Sequence, residues 1–457
     1  MTRAAVANWA TRAAVGLTLA ASGCVKHQAA PSGIVASAPH ADAGVASAPE
    51  TDRGTDHDAT AANSAKAPEP PTRDLRRCFP QRPAWDDAAV ADLLDRAADL
   101  FDATDYQGAL VCAEEAARQA PRSVEAHHNR AVALLHLERL DEARDAFALA
   151  LALAPEDPET LEAAADLYIN QLAPSADRSL LGLEYARRGS RHTPARDAGR
   201  RARLALLEGQ ALIDLGRAGE ALRRLDASLA AAPDVASAQY ERGVALFELC
   251  RFDEARRMFE RVLADDSDHA HALYHLGLIE ERLGNEAAAV RHLAAASAED
   301  SKSFPPSPSV DQPDFAARVK RAVEALAPDI RRDLAGIPVE AADVPSQDDL
   351  TAEKPPLSPT ILGLFRGLPL DWNAREPLPT QSGRPSKKGR AEDEGTPPPH
   401  LAPSDAPDRT IILYRRNILR TVHDGKELDQ AITRTLLHEV GHLRGEDDGS
   451  LRDRGLE

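Results

Sequence analysis

The sequence predicts a mostly α fold: a solenoid of stacked helix pairs, then a small α+β domain, with a disordered tether at the N-terminal end. Three observations carry this. Small and bulky apolar residues recur every 34 positions, at Gly209, Gly243 and Gly277, at Ala221, Ala255 and Ala289, and at Leu225, Phe259 and Leu293. The 457 residues are 43% hydrophobic but only 4% aromatic, so the core must be built largely from Ala and Leu, which suits closely packed helices better than facing sheets. Beyond about residue 314 the repeat ends. There a β-branched run, Thr410 to Leu413, precedes a helical stripe of Leu428, Ile432, Leu436, Val440 and Leu443. The length leaves room for two or three domains. A formal net charge of -18 argues against a nucleic-acid partner, which needs a concentrated positive surface. The one basic cluster, Arg384 to Arg390, reads as a solvated loop.

At the N-terminus, Arg3 and Arg12 frame a positive start, Ala13 to Ala21 is a short apolar run, and Ala21-Ser22-Gly23-Cys24 is a small-residue cleavage site ending in cysteine. The run is too short to span a bilayer. The segment resembles a bacterial lipoprotein signal. That resemblance implies removal of residues 1–23, lipidation of Cys24 and a place in the cell envelope. Val25, rather than aspartate, favours the outer membrane. The alternative is an ordinary secretory signal cleaved nearby. Residues 24–83 are Ala, Pro, Ser, Asp and Thr with almost no large apolar side chains; they cannot offset their ordering entropy and should form a flexible tether. Cys78, Cys112 and Cys250 remain after processing, an odd number with no zinc-knuckle spacing, and no disulfide framework is expected from them.

A second run keeps the 34-residue period, with Ala97, Ala131 and Ala165, then Ala109 and Ala143, then Pro121 and Pro155. Small residues let antiparallel helices approach, bulky ones fill the space between pairs, and proline stops the second helix. Over residues 87–303 the array resembles the tetratricopeptide repeat, about six copies, with the register slipping between Pro158 and Arg201. The resemblance implies a concave face that binds a protein or peptide client. His271 and His275 lie four apart on a repeat helix, but no acid completes a metal set, so solvated histidines are expected. His127 and His128 occupy ordinary repeat positions.

A Phe304-Pro305-Pro306-Ser307-Pro308 stretch breaks helical continuity and opens the C-terminal domain. Its densest signal is His438-Glu439-Val440-Gly441-His442, followed by Gly445 and Asp448. Histidines four apart share a helix face and can reach one metal ion, Glu439 can hold and deprotonate a water, Gly445 ends the helix, and Asp448 can swing back as a third ligand. With Phe315 to Leu326, Ile361 to Leu370, Thr410 to Arg415 and Leu451 to Leu456, this makes residues 314–457 resemble the minimal zincins, compact zincin-like metallopeptidase domains. The resemblance implies Zn2+ bound by His438, His442 and Asp448, with Glu439 as general base. A Pro-rich, charged stretch over 371–408 departs from the pattern and reads as a disordered insertion. The metzincin pattern does not fit, because the only methionines are Met1 and Met258 and none follows the site. An extended substrate would pair with a strand edge, and both the Thr410 strand and the Ile361 strand are candidates.

These readings combine into an expectation: a lipid-anchored envelope protein that recruits a protein client on its repeats and cuts peptides at a zinc site. The rival is a non-catalytic scaffold whose metal ion is structural, closed by a fourth protein ligand such as Asp447 or, less directly, His423. A third reading is self-processing of the chain's own linkers.

Overall fold

Apolar stripes spaced three and four residues apart turn the middle of the chain into antiparallel helix pairs. The computed structural model describes residues 87–352, 354–370 and 408–456. The signal segment with Cys24, the tether and all but the last residue of the 371–408 insertion lie outside them. The described residues form two compact units, one ending at Leu172 and the other beginning at Ala173.

The first unit holds α1 (Asp87–Asp102), α2 (Tyr106–Gln119), α3 (Val124–His136), α4 (Leu140–Leu153) and α5 (Pro158–Asp166). Local chemistry sets the helix starts. Asp105, Ser123 and Asp157 each accept a backbone N–H from the first turn, and Pro158 occupies a first-turn position where no N–H is needed. α5 runs into a π turn over Leu167–Gln171, inside the stretch where the sequence register slips.

The second unit continues with α6 (Ala176–His192), α7 (Ala198–Asp214), α8 (Ala218–Ala231), α9 (Ala236–Glu248), α10 (Phe252–Asp265), α11 (Ala270–Arg282) and α12 (Glu286–Glu299). The 34-residue period now has a physical content. A Cβ on Gly209, Gly243 or Gly277 would stand 2.6 Å from the side chain of Leu225, Phe259 or Leu293, respectively. The glycine of each pair's first helix is the space its partner's bulky residue fills. The same period marks the turns within pairs: Thr104 and Glu138, then Gly216, Cys250 and Gly284, all have positive φ.

Two expectations are corrected here. Cys112, on α2 and fully buried, is disulfide-bonded. Sequence spacing does not show which thiols approach within bonding range, which is set by the separation and orientation of the two residues in the fold. His271 and His275 are not solvated: His275 is buried, stacked on Phe259 with Nδ1 against the His271 carbonyl, and His271 packs edge-on to Phe304. Burial holds both well below the usual imidazole range, at about 4.

The C-terminal part of this unit comprises α13 (Gln312–Ala325), α14 (Pro328–Asp333), β1 (Val339–Ala342), α15 (Gln347–Thr351), β2 (Gly363–Arg366), β3 (Thr410–Tyr414), α16 (Arg415–Leu419), α17 (Gly425–Leu443) and α18 (Asp448–Asp453). The strands form one sheet in the order β1-β3-β2, with β1 parallel and β2 antiparallel to β3. Phe365, Ile411 and Leu413 point from one face into a core shared with Phe315 and Val319 of α13 and Leu428, Ile432 and Leu436 of α17. Leu364, Ile412 and Tyr414 pack on the other face with Leu357 and Ile361. Among the described residues no helix is long and apolar enough to cross a membrane.

Candidate metal centre

The histidine-bearing helix α17 starts at Asp424, whose Oδ1 accepts the backbone N–H groups of Lys426 and Glu427. Its apolar stripe anchors it to the sheet, which fixes the opposite register of His438 and His442. Gly445, at φ +85°, ends it: Glu446 N–H donates to the Gly441 carbonyl and Gly445 N–H to that of His442, both at 3.0 Å. The chain turns back at once, and Asp447 caps α18 by accepting the Ser450 N–H. A Cβ at Gly441 would lie 2.2 Å from Leu451, so the missing side chain lets Leu451 press onto α17 and pin the short helix that carries Asp448.

This folding brings the three predicted ligands together. His438 Nε2 and His442 Nε2 are 3.1 Å apart, and Asp448 Oδ1 lies 3.3 Å from His442 Nε2 and 3.8 Å from His438 Nε2. The other ring nitrogens are engaged: His438 Nδ1 donates to the Leu456 carbonyl at 2.8 Å and His442 Nδ1 to that of Glu446 at 3.0 Å. A carbonyl can only accept, so both rings carry their proton on Nδ1 and turn the Nε2 lone pair to the common point. Two neutral nitrogens and one carboxylate suit a zinc ion. Neither suggested fourth ligand joins them. Asp447 is spent on its cap, and His423 is exposed and pairs with Glu427 at 3.1 Å. His438, His442 and Asp448 are the whole set found among the described residues.

Glu439 is buried at 5% exposure, and desolvation pushes its carboxyl up to about 7 against the hydrogen bond it accepts from the Phe365 backbone N–H. Its Oε1 would lie 2.7 Å from a Cβ on Gly363, so glycine there makes room for it.

The two candidate strands take different places in the sheet. β3 is central and paired on both sides, whereas among the described residues β2 is an outer strand beside α17. Tyr414 N–H donates to the Leu362 carbonyl, which makes Leu364–Ile412 and Arg366–Thr410 the hydrogen-bonded pairs and turns the backbone groups of Gly363 and Phe365 to the outer edge, where the Phe365 N–H donates to the Glu439 carboxylate. Several contributors went unnoticed in the sequence: Gly441 with Leu451, Gly363, and the carbonyls of Glu446 and Leu456. Gly441 sits inside the motif and could have been questioned, as glycine in a helix interior wants a packing reason. Backbone carbonyls leave no residue signature.

A helical repeat solenoid joined to a compact domain with two histidines and an acidic residue converging beside an edge strand defines the class: a repeat protein with a metallopeptidase-like centre. Comparison with known proteins agrees. Residues 385–456 match the zincin-like metallopeptidase family, and residues 94–158, 212–274 and 246–304 match tetratricopeptide repeat families. The chain therefore carries tetratricopeptide repeats and a C-terminal zincin-like metallopeptidase domain. None of the curated proteins matches it. Among solved structures it is similar to PilW, a type IV pilus biogenesis factor, at 22% identity over 48% of this chain and 98% of that one, with a TM-score of 0.42. It is also similar to PilF of Pseudomonas aeruginosa, at 15% identity over 47% and 94% with a TM-score of 0.40. YrrB, a repeat protein with an unusual peptide-binding site, is 19% identical over 42% and 93%, with a TM-score of 0.33.

Proposed function

We propose that the chain is a zinc-dependent peptidase, anchored to the cell envelope through lipidated Cys24, that holds a protein client on its repeats. The observation that carries the peptidase reading is the convergence of His438, His442 and Asp448 with both Nδ1 atoms committed elsewhere, next to a buried Glu439 at the outer edge of β2. When bound, zinc supplies Lewis acidity to a carbonyl oxygen and lowers the pKa of its water to about 7. The chain's own groups do the rest. An extended peptide pairs along the outer edge of β2 at Gly363, which lays its scissile bond across α17. Glu439 takes a proton from the attacking water at a carboxylate oxygen, and passes it to the amine nitrogen as the C–N bond breaks. A carboxyl raised by burial is suited to both halves of that transfer, since its affinity for a proton lies close to neutrality. Three protein ligands, with Asp447 and His423 occupied elsewhere, favour an open catalytic ion over a closed structural one.

The test is a pair of variants assayed for zinc content and peptide hydrolysis. Glu439→Gln should retain one zinc per chain while hydrolysis falls by about 10²-fold or more, and His438→Ala should lose the metal. Undiminished hydrolysis by Glu439→Gln would remove that residue from the reaction.

A further inference from the structure

The metal domain is seated on the turns of the last two repeat pairs by a set of charges balanced three against three. Arg415, Arg416 and Arg420 come from α16 and its end, Asp343 from the segment after β1, and Glu281 and Glu286 from α11 and α12 of the repeats. Glu281 is the pivot. Its side chain is only 7% exposed; Oε1 accepts from Arg416 at 3.2 Å and Oε2 accepts from Arg420. Arg416 is also held by Glu286 at 2.7 Å, so it keeps a partner whatever happens to Glu281. The preceding repeat turn adds contacts: the Cys250 thiol approaches the Leu357 carbonyl at 3.7 Å, and Gln347 donates to the Cys250 carbonyl.

From Glu281 a line of polar contacts leads to the metal site. Arg420 spends its other terminal nitrogen on Asn417 Oδ1 at 2.9 Å. The Asn417 amide, buried at 5% exposure, donates to the carbonyls of Pro359 and Ile361 at 3.1 and 2.8 Å. Those two carbonyls lie immediately before β2, whose first residue, Gly363, stands against Glu439 with no room for a methyl group. A displacement of the strand entry by a few tenths of an ångström is therefore felt at the Glu439 carboxylate and along the outer edge of β2. Stability alone does not account for such a device. A buried ion pair costs desolvation that an apolar contact of the same size would avoid, so what it provides is fixed geometry.

We propose that Glu281, a residue of the repeat array, is a positioning residue of the peptidase site, acting through Arg420 and Asn417 on the segment that enters the substrate-binding edge strand. This rests on the peptidase reading for its consequence in catalysis, though its structural half stands independently. It makes the last repeat pair part of the enzyme rather than a free binding module.

The experiment uses the full chain with Glu281→Gln, which keeps the shape and removes the charge, and Glu281→Asp, which restores it. Zinc content should be unchanged in both. In Glu281→Gln, amide hydrogens over residues 361–366 should exchange about tenfold faster or more, and KM for a peptide should rise about tenfold with kcat altered less than about twofold. Glu281→Asp should recover part of both. Wild-type exchange over 361–366 in folded Glu281→Gln would overturn the proposal. If wild-type protein cuts no peptide, the peptidase reading fails, and the exchange result still decides the coupling. If Glu281→Gln does not fold, Arg420→Lys, which keeps a cation beside Glu281 but lacks the second arm to Asn417, takes its place under the same criteria.

Discussion

At the scale of single residues, glycine is where this protein is least forgiving and most readable. Gly243 faces Phe259 at a would-be 2.6 Å, so Gly243→Ala forces an aromatic ring out of a filled groove. It should destabilise the repeat array by about 1–3 kcal/mol in urea unfolding. Gly219 is the matching control: it is helical with nothing within 4 Å of its would-be Cβ, and Gly219→Ala should be neutral or slightly stabilising. The 34-residue spacing of these glycines was visible from the sequence because helix contacts within a repeat are local and periodic. Glu439, His438, His442 and Asp448 were visible for a similar reason: one helix and one turn hold them all. Gly363 was not, because its only purpose is to clear space for a residue 76 positions later, and no local pattern records such a debt.

At the scale of elements, the repeat helices bury carboxyls that set a pH response. Burial raises Glu241 of α9 to about 8, with Gln210 donating to one of its oxygens, raises Asp214 of α7 to about 6, and raises Glu248 to about 7. Each takes up protons in the folded chain that the unfolded chain has released, between an unfolded value near 4 and these folded values. Stability contributed this way is present at low pH and is lost as pH rises to about 8. His271 and His275 act in the opposite sense: held neutral, they cost stability as pH falls from their ordinary 6.5 towards 4. The unfolding midpoint of the protein should therefore be lower at pH 8 than at pH 6, and Glu241→Gln should shrink that drop. An unaltered pH profile in the variant would exclude Glu241 as its source. Element recognition from sequence succeeded where the period was strong. The stripe of Leu428, Ile432, Leu436, Val440 and Leu443 lies on the helix Gly425–Leu443, and the Thr410 run is the central strand. β1 went unseen because Val-Glu-Ala-Ala carries one β-branched residue and no alternation, and its strand state comes from pairing with β3 rather than from propensity.

At the scale of the whole molecule, the sequence disclosed two folded regions and their order, but not that the last repeats and the metal domain share one built seam. Glu281, Arg416 and Arg420 read as ordinary helix-surface charges until tertiary contacts pair them across more than a hundred residues. The proposed anchor is testable at this level: in cells fed labelled palmitate, the protein should carry the label, and Cys24→Ser should abolish labelling while releasing the chain from the membrane fraction. Finally, the outer strand beside the metal centre is short. It runs from Gly363 to Arg366, and of the two residues whose backbone faces outward, Phe365 already gives its N–H to Glu439. A ledge of that length grips little more than one step of an incoming chain, so its own hold on a substrate would be brief and indifferent to sequence. Selectivity would then have to come from elsewhere on the polypeptide, with a client retained by the solenoid meeting the blade at a raised effective concentration.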